Sequence, residues 1–337
     1  MTGDAGYDRR MAAIPEARSI AVVGAGGVGG LLAAMLARTG NDVRMLARGA
    51  ALGAIRDHGL RVHGPGGDYA VPIARISDDA STLGTADIVL VTVKTWQLAD
   101  LGPRLVPLVG DRTVVVPMQN GVEASEVLAR SLGEPHVIGG VCRMIGWAER
   151  PGEIRWLGTP PSLTIGPRSP DQADGVQACA ATLQTGGIEV LVTQAIERAR
   201  WQKFLFIAPY AAVGAVERAP LGIVRRTPQA RARLEAAMHE VATLAAARGI
   251  ALPPDAVAAA MQRLEVLPED GTASMHRDIV DGRPSELHEL IGAVVRLGRA
   301  AQVATPVSDE LYAQLSPLEE LARTRGRQGD STSAIAP

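Results

Sequence analysis

The chain opens its ordered pattern with an apolar run, Ser19-Ile20-Ala21-Val22-Val23, that ends in Gly24-Ala25-Gly26-Gly27-Val28-Gly29-Gly30. Residues 31–38 then carry apolar positions at helical spacing. Strand, glycine turn and helix in that order predict the first unit of a parallel α/β sheet. The pattern recurs. Residues 43–47 predict a strand, 50–58 a helix, and 87–93 and 113–116 two further strands. The run 87–93 is apolar almost throughout, as expected of a strand covered by helices on both faces. Segments 137–143, 153–157 and 162–165, separated by turn residues, predict more strands closing this first domain; 171–184 predicts a helix and 189–193 its last strand.

Beyond residue 194 the period changes. Alanine-rich helical patterns cover 195–216, 228–248, 254–264, 284–302 and 306–324, most with proline at or near the start, where its missing N–H costs nothing. Pro209 predicts a kink or an end in the first of these, and Pro317 a kink or split in the last. The expected layout is a flexible arm over 1–17, a doubly wound α/β domain over 18–193, an all-helical domain over 194–324 and a disordered polar tail over 325–337.

Composition narrows the function classes. The 337 residues carry a formal net charge of −2, which gives no electrostatic case for nucleic acid or an acidic membrane. No apolar run reaches the ~20 residues of a spanning helix. Residues 1–17 hold Asp4, Asp8, Arg9, Arg10 and Glu16 and lack the apolar stretch of a signal peptide. The only cysteines, Cys142 and Cys179, suggest buried thiols in a reducing compartment and no metal site. A cytoplasmic enzyme fits, with a homodimer, the commonest assembly, as the expected oligomer.

Gly24 allows a tight turn, Gly26 lets backbone approach a phosphate, and Gly29 lets helix pack on strand, so the loop reads as a dinucleotide site. At the end of the second strand stands Arg48, where an NAD-selective site usually places an acid; a guanidinium there grips a 2′-phosphate, favouring NADP(H). Arg44 reads as a solvent-facing strand residue. Lys203 is the only charged side chain between Trp201 and Val216. It either snorkels to solvent or sits buried with a lowered pKa, ready to donate a proton. Glu286 reads as the start of the 284–302 helix, either an ordinary first-turn acid or a partner of that lysine. Lys94 and Asn120 follow predicted strands, at the sheet edge where open parallel sheets bind ligands.

Together, Gly24-Ala25-Gly26-Gly27-Val28-Gly29, Arg48, Val93-Lys94-Thr95-Trp96-Gln97, Gln119-Asn120-Gly121, Trp201-Gln202-Lys203, Ser274-Met275 with Asp278, and Pro284-Ser285-Glu286 resemble the ketopantoate reductase (2-dehydropantoate 2-reductase) family over nearly the whole folded chain. The resemblance implies a Rossmann-type domain and a helical domain with NADPH and a keto acid between them. It implies that Lys203 is the general acid, Glu286 its partner and a substrate contact, Asn120 a positioner of cofactor and substrate, Lys94 a helper at the substrate carboxylate, Ser274 a carboxylate ligand and Arg48 the 2′-phosphate clamp. Asp278 is either functional or a helix cap. The sequence departs from the family where asparagines usually contact substrate: Ile207, Ala211, Leu221 and Ile291 stand there. Reduction of 2-dehydropantoate to pantoate, a step of pantothenate and coenzyme A biosynthesis, is therefore the default, with a more apolar ketone as the alternative and a non-catalytic NADP(H) sensor as the second.

Overall fold

The computed structural model describes residues 18–333, with side chains through Arg325. The expected arm over 1–17 lies outside the described residues. Five strands form a wholly parallel sheet: β1 (Ser19–Val23), β2 (Asp42–Leu46), β5 (Arg75–Ser77), β6 (Ile88–Val91) and β7 (Val114–Pro117), in the order β5-β2-β1-β6-β7. In the central strand Ile20, Ala21 and Val22 are wholly buried, because helices cover both faces. These are α1 (Gly27–Ala37), α2 (Gly49–His58), α3 (Leu98–Leu101), α4 (Ala124–Leu132) and α5 (Ala173–Thr185).

A second sheet was not foreseen. β3 (Leu60–His63) and β4 (Tyr69–Val71) join β9 (Glu153–Gly166) and β10 (Glu189–Val192), and β8 (Gly139–Arg150) pairs with β9 in a long hairpin. The segments 153–157 and 162–165, expected as separate strands, belong to one. The turn-like Gly158-Thr159-Pro160-Pro161 between them falls where β8 and β9 leave residues unpaired, so the prolines remove no ladder bond.

The remaining helices are α6 (Ile196–Glu217), α7 (Leu221–Arg226), α8 (Pro228–Ala247), α9 (Ala256–Val266), α10 (Ser274–Val280), α11 (Ile291–Ala300) and α12 (Pro306–Ser333). α6 is their axis. Phe204, Ala208, Ala211, Ala212 and Val213 are all wholly buried, and the small residues let neighbouring helices approach closely. Pro209 neither ends nor splits α6. The packing around it holds the helix where one backbone hydrogen bond is missing. Likewise Pro317 lies inside a continuous α12. That helix also runs through 325–333, where a disordered tail was expected. Residues 318–328 contain no proline and one glycine among good helix formers.

One correction moves a candidate residue. The helix expected from 284 starts at Ile291, so Glu286 does not open a helix. The preceding chain is bent by a buried carboxylate: Glu319 of α12 accepts from the Ser285 amide at 3.0 and 3.1 Å and from the Ser285 hydroxyl at 2.5 Å. Arg44 is also corrected. It is 9% exposed and donates to the Leu83 and Thr85 carbonyls at 2.9 and 2.7 Å while paired with Asp42. A guanidinium with that many acceptors can be buried on a strand.

Among the described residues no helix is long and apolar enough to cross a membrane. Cys142 and Cys179 are both buried and unbridged.

Glu319→Ala should destabilise the protein by about 3 kcal/mol, since it strips a buried serine amide and hydroxyl of their acceptor. Chemical unfolding checks this, and an unchanged midpoint would show the bend before Ile291 to be held by other contacts.

Candidate active site

Three strand ends and the helical half build the site. At the end of β1 the Gly24 amide donates to the Leu46 carbonyl of β2 at 2.9 Å, and Gly24 has φ +106°, a conformation that favours glycine. Gly29 could not carry a side chain: a Cβ there would lie 2.1 Å from the Gly24 carbonyl oxygen. Gly26, the N-cap of α1, faces open space, with nothing within 4 Å of an added Cβ. Gly27 touches the backbone of Trp147, so the β8–β9 hairpin backs the loop. Ala25 and Val28 pack against the sheet core. The first turn of α1 carries no acid, and its leading amides have no intrahelical acceptor. A diphosphate fits this cradle in shape and in charge. Arg48 is exposed at the N-cap of α2, with no ion-pair partner among the described residues. β2 neighbours β1 in parallel register, which puts Arg48 at the same sheet edge as the loop.

After β6, a carboxylate from the helical half is captured. Glu286 is 4% exposed and accepts from the Thr95 amide at 3.1 Å and the Thr95 hydroxyl at 2.7 Å. Its other oxygen lies 3.8 Å from Lys94 Nζ, which donates to Asp278 at 2.8 Å. Burial alone would lower the Lys94 pKa, but Glu286 and Asp278 outweigh it and hold the ammonium above its ordinary value. Asp278 also accepts from Arg283 at 3.1 Å, so it ties two cations rather than capping a helix. The Thr95 hydroxyl went unassigned in the sequence, yet it is the shortest contact to Glu286.

Lys203, on α6, has a different partner. Its Nζ donates to the Cys142 carbonyl of β8 at 2.6 Å, and among the described residues no carboxylate lies within salt-bridge distance. Glu286 is therefore bonded to Thr95 and Lys94, not to Lys203 as expected. Burial pushes the Lys203 pKa below that of an ordinary lysine; Arg143 and Arg263 push the same way, and Glu286 acts only through its more distant charge. The snorkelling alternative would leave the ammonium in water, and a backbone carbonyl holds it instead.

Asn120 sits in the turn after β7, beside Gly121 at φ +105°. The turn is pinned by Gln119, whose amide donates to the Val91 and Val93 carbonyls at 2.9 Å each. The Asn120 carbonyl lies 3.4 Å from the Thr95 hydroxyl, which places it beside the Glu286 cluster. Ser274 opens α10 one turn ahead of Asp278, on the same helix face. Of the four apolar departures, Ala211, Leu221 and Ile291 are wholly buried in the helical core. Ile207, one turn from Lys203, is only half-buried, at the margin of that core.

Comparison with known proteins finds matches along both halves of the chain. The family model Ketopantoate reductase PanE/ApbA matches residues 20–170, and its C-terminal companion, Ketopantoate reductase PanE/ApbA C terminal, matches 195–319. A 2-dehydropantoate 2-reductase from Halobacterium salinarum is 30% identical over 92% of this chain and 99% of its own. A PanE/ApbA family ketopantoate reductase from Ralstonia eutropha JMP134 superposes with a TM-score of 0.83 at 29% identity, covering 90% of this chain and 99% of its own. A D-mandelate dehydrogenase solved with NADH and anilino(oxo)acetate shares the fold at a TM-score of 0.84 and 20% identity, covering 90% and 99%.

Gly29→Ala should weaken dinucleotide binding at least tenfold, because the added methyl meets the Gly24 carbonyl and opens the loop. Fluorescence titration with NADPH measures it; undiminished affinity would remove the loop from the cofactor site.

Proposed function

The chain belongs to the ketopantoate reductase family, and on that premise we propose that it reduces a 2-oxo acid to the 2-hydroxy acid with NADPH, 2-dehydropantoate being the default substrate. One observation carries the reading: the two cleft lysines are driven in opposite directions by their surroundings. Lys94 is held charged by two carboxylates, whereas Lys203 is desolvated and, among the described residues, has no carboxylate in contact. Titratable groups pushed apart in this way mark the acid and its supporting charge.

Bound at the glycine loop, NADP(H) would supply the hydride. The chain's own residues do the rest. Lys203 holds a proton at Nζ and gives it to the carbonyl oxygen as the carbon is reduced. The Cys142 carbonyl aims that ammonium. Glu286, fixed by Thr95, keeps a negative charge in the cleft that sustains the protonated lysine and offers an acceptor to a substrate hydroxyl. Asn120 and Ser274 line the substrate side, and Arg48 holds the 2′-phosphate. Lys94, whose charge is already matched, positions Glu286 and Asp278 rather than a substrate carboxylate. A second reading, a 2-oxo acid with a bulkier apolar body, is favoured by Ile207, which presents a hydrocarbon one turn from Lys203.

Lys203→Ala should lower kcat by roughly 10²–10⁴-fold, the usual worth of a positioned acid, with NADPH affinity kept. Because the protonated amine is the working form, kcat/KM should be high at low pH and fall as pH rises through the lysine's pKa. That edge should lie below the 10.5 of a free lysine. Unaltered turnover in the variant would point to a binding protein without catalysis.

Arg48→Ala should raise the KM for NADPH tenfold or more and leave that for NADH nearly constant. Equal changes for both cofactors would take the 2′-phosphate away from Arg48.

A further inference from the structure

Neither Arg143 nor Arg263 has a role in the reading so far. Arg143 follows Cys142 on β8, directly after the carbonyl that receives Lys203. It is half-buried, and among the described residues its one side-chain bond is weak, Nη1 to the Thr164 hydroxyl at 3.2 Å. Arg263, on α9, lays its guanidinium over the Phe206 ring, 5.5 Å from the centroid. Phe206 in turn packs on Tyr210, with centroids 5.4 Å apart. Lys203, Phe206, Ile207 and Tyr210 follow one another along one face of α6, so both arginines border the face that carries the proposed acid.

The charges there are unbalanced. Among the described residues neither arginine has a carboxylate within salt-bridge distance, whereas Lys94 on the opposite wall has two. The arginines also feel each other: burial, then the charge of Arg263, lowers the pKa of Arg143. Arg143, half-buried, facing like charge and without a carboxylate beside it, is costly to hold there, while Arg263 adds its charge from an exposed position on α9. An anionic ligand relieves that cost, and guanidinium suits a carboxylate because it offers paired donors.

We propose that Arg143 and Arg263 receive the carboxylate of the 2-oxo acid, on the Lys203 side of the cleft. The proposal rests on the reductase reading and adds which wall holds the substrate's charge. It makes the substrate an acid for a physical reason: two unmatched arginines select a charged group over a neutral ester of the same shape. It also turns the keto oxygen toward Lys203, since carboxylate and carbonyl are adjacent in a 2-oxo acid.

The test compares 2-oxoisovalerate and benzoylformate with their methyl esters, NADPH being supplied to the full-length protein. The wild type should prefer each acid. Arg143→Gln and Arg263→Gln should each raise the acid's KM at least tenfold, lower kcat much less, and bring the acid-to-ester ratio of kcat/KM down by a similar factor. Arg263 is exposed, so its variant reports even where Arg143→Gln fails to fold, and NADPH titration certifies the fold of each. Acid and ester falling together, or a wild-type ratio that survives in Arg263→Gln, would overturn the assignment while leaving the reductase standing. If the wild type reduces none of these compounds and not 2-dehydropantoate either, the reductase reading falls and the assignment falls with it.

Discussion

The buried carboxylate of Glu286 is the contact on which the cleft depends. It comes from the helical half and is received by an amide and a hydroxyl of Thr95, on the loop after β6, with Lys94 behind. A carboxylate taken out of water costs several kcal/mol unless its oxygens are satisfied. One oxygen accepts two hydrogen bonds from Thr95 and the other faces the Lys94 ammonium at 3.8 Å, so the helical half is drawn to the sheet edge. The glycine loop, the Asn120 turn and the Thr95 loop all lie on that edge. With the Lys94–Asp278 pair and the Lys203–Cys142 hydrogen bond, this contact fixes how the two halves meet where cofactor and substrate would bind.

The same contact separates the two lysines. Glu286 spends its nearby negative charge on Lys94, together with Asp278, and reaches Lys203 only at longer range. Had Glu286 bonded Lys203 directly, the pair would hold that proton more tightly, and a proton held tightly is a poor one to donate. Routing the ion pair through Lys94 leaves Lys203 with a carbonyl for orientation and desolvation for tuning. Arg143 and Arg263 add positive charge on the same side. The cleft thus has one wall where charges cancel and one where they do not, and only the second attracts an anion.

Much of this was legible in the residues. β1, the glycine loop and α1 announce themselves because period, glycine spacing and strand–helix order all agree. α6 and α8 do so because their apolar repeats are long. The second sheet was not legible, since β3 is short and pairs with β9, some ninety residues away in sequence, and β4 is a three-residue edge on β3. The Pro160-Pro161 pair resembles a break and becomes harmless only beside a bulged partner. Arg44 resembles a surface residue until the Leu83 and Thr85 carbonyls are brought to it. In the site, the chemistry-bearing residues could be named from their order along the chain, but not their partners. Glu286 was matched to Lys203 when Thr95 and Lys94 hold it, because that choice depends on where a bend before α11 releases the side chain. The bend is set by Glu319, more than thirty residues on.

The apolar departures sharpen the same lesson. Four hydrocarbon positions in place of amides suggest a greasy pocket when counted along the sequence. In space, Ala211, Leu221 and Ile291 are spent on the helical core, and only Ile207, at its margin, stays partly exposed beside Lys203. Their effect on recognition is therefore indirect. An amide at those depths would need a buried partner, and a core without amides is free to pack α6 tightly against α8 and α10. What remains to discriminate substrates is the side of α6 that carries Lys203: one branched hydrocarbon, one aromatic pair and two arginines. Hydrophobic contact of that size distinguishes shapes by only about 1–3 kcal/mol per methylene, so charge is the stronger discriminator left at this wall.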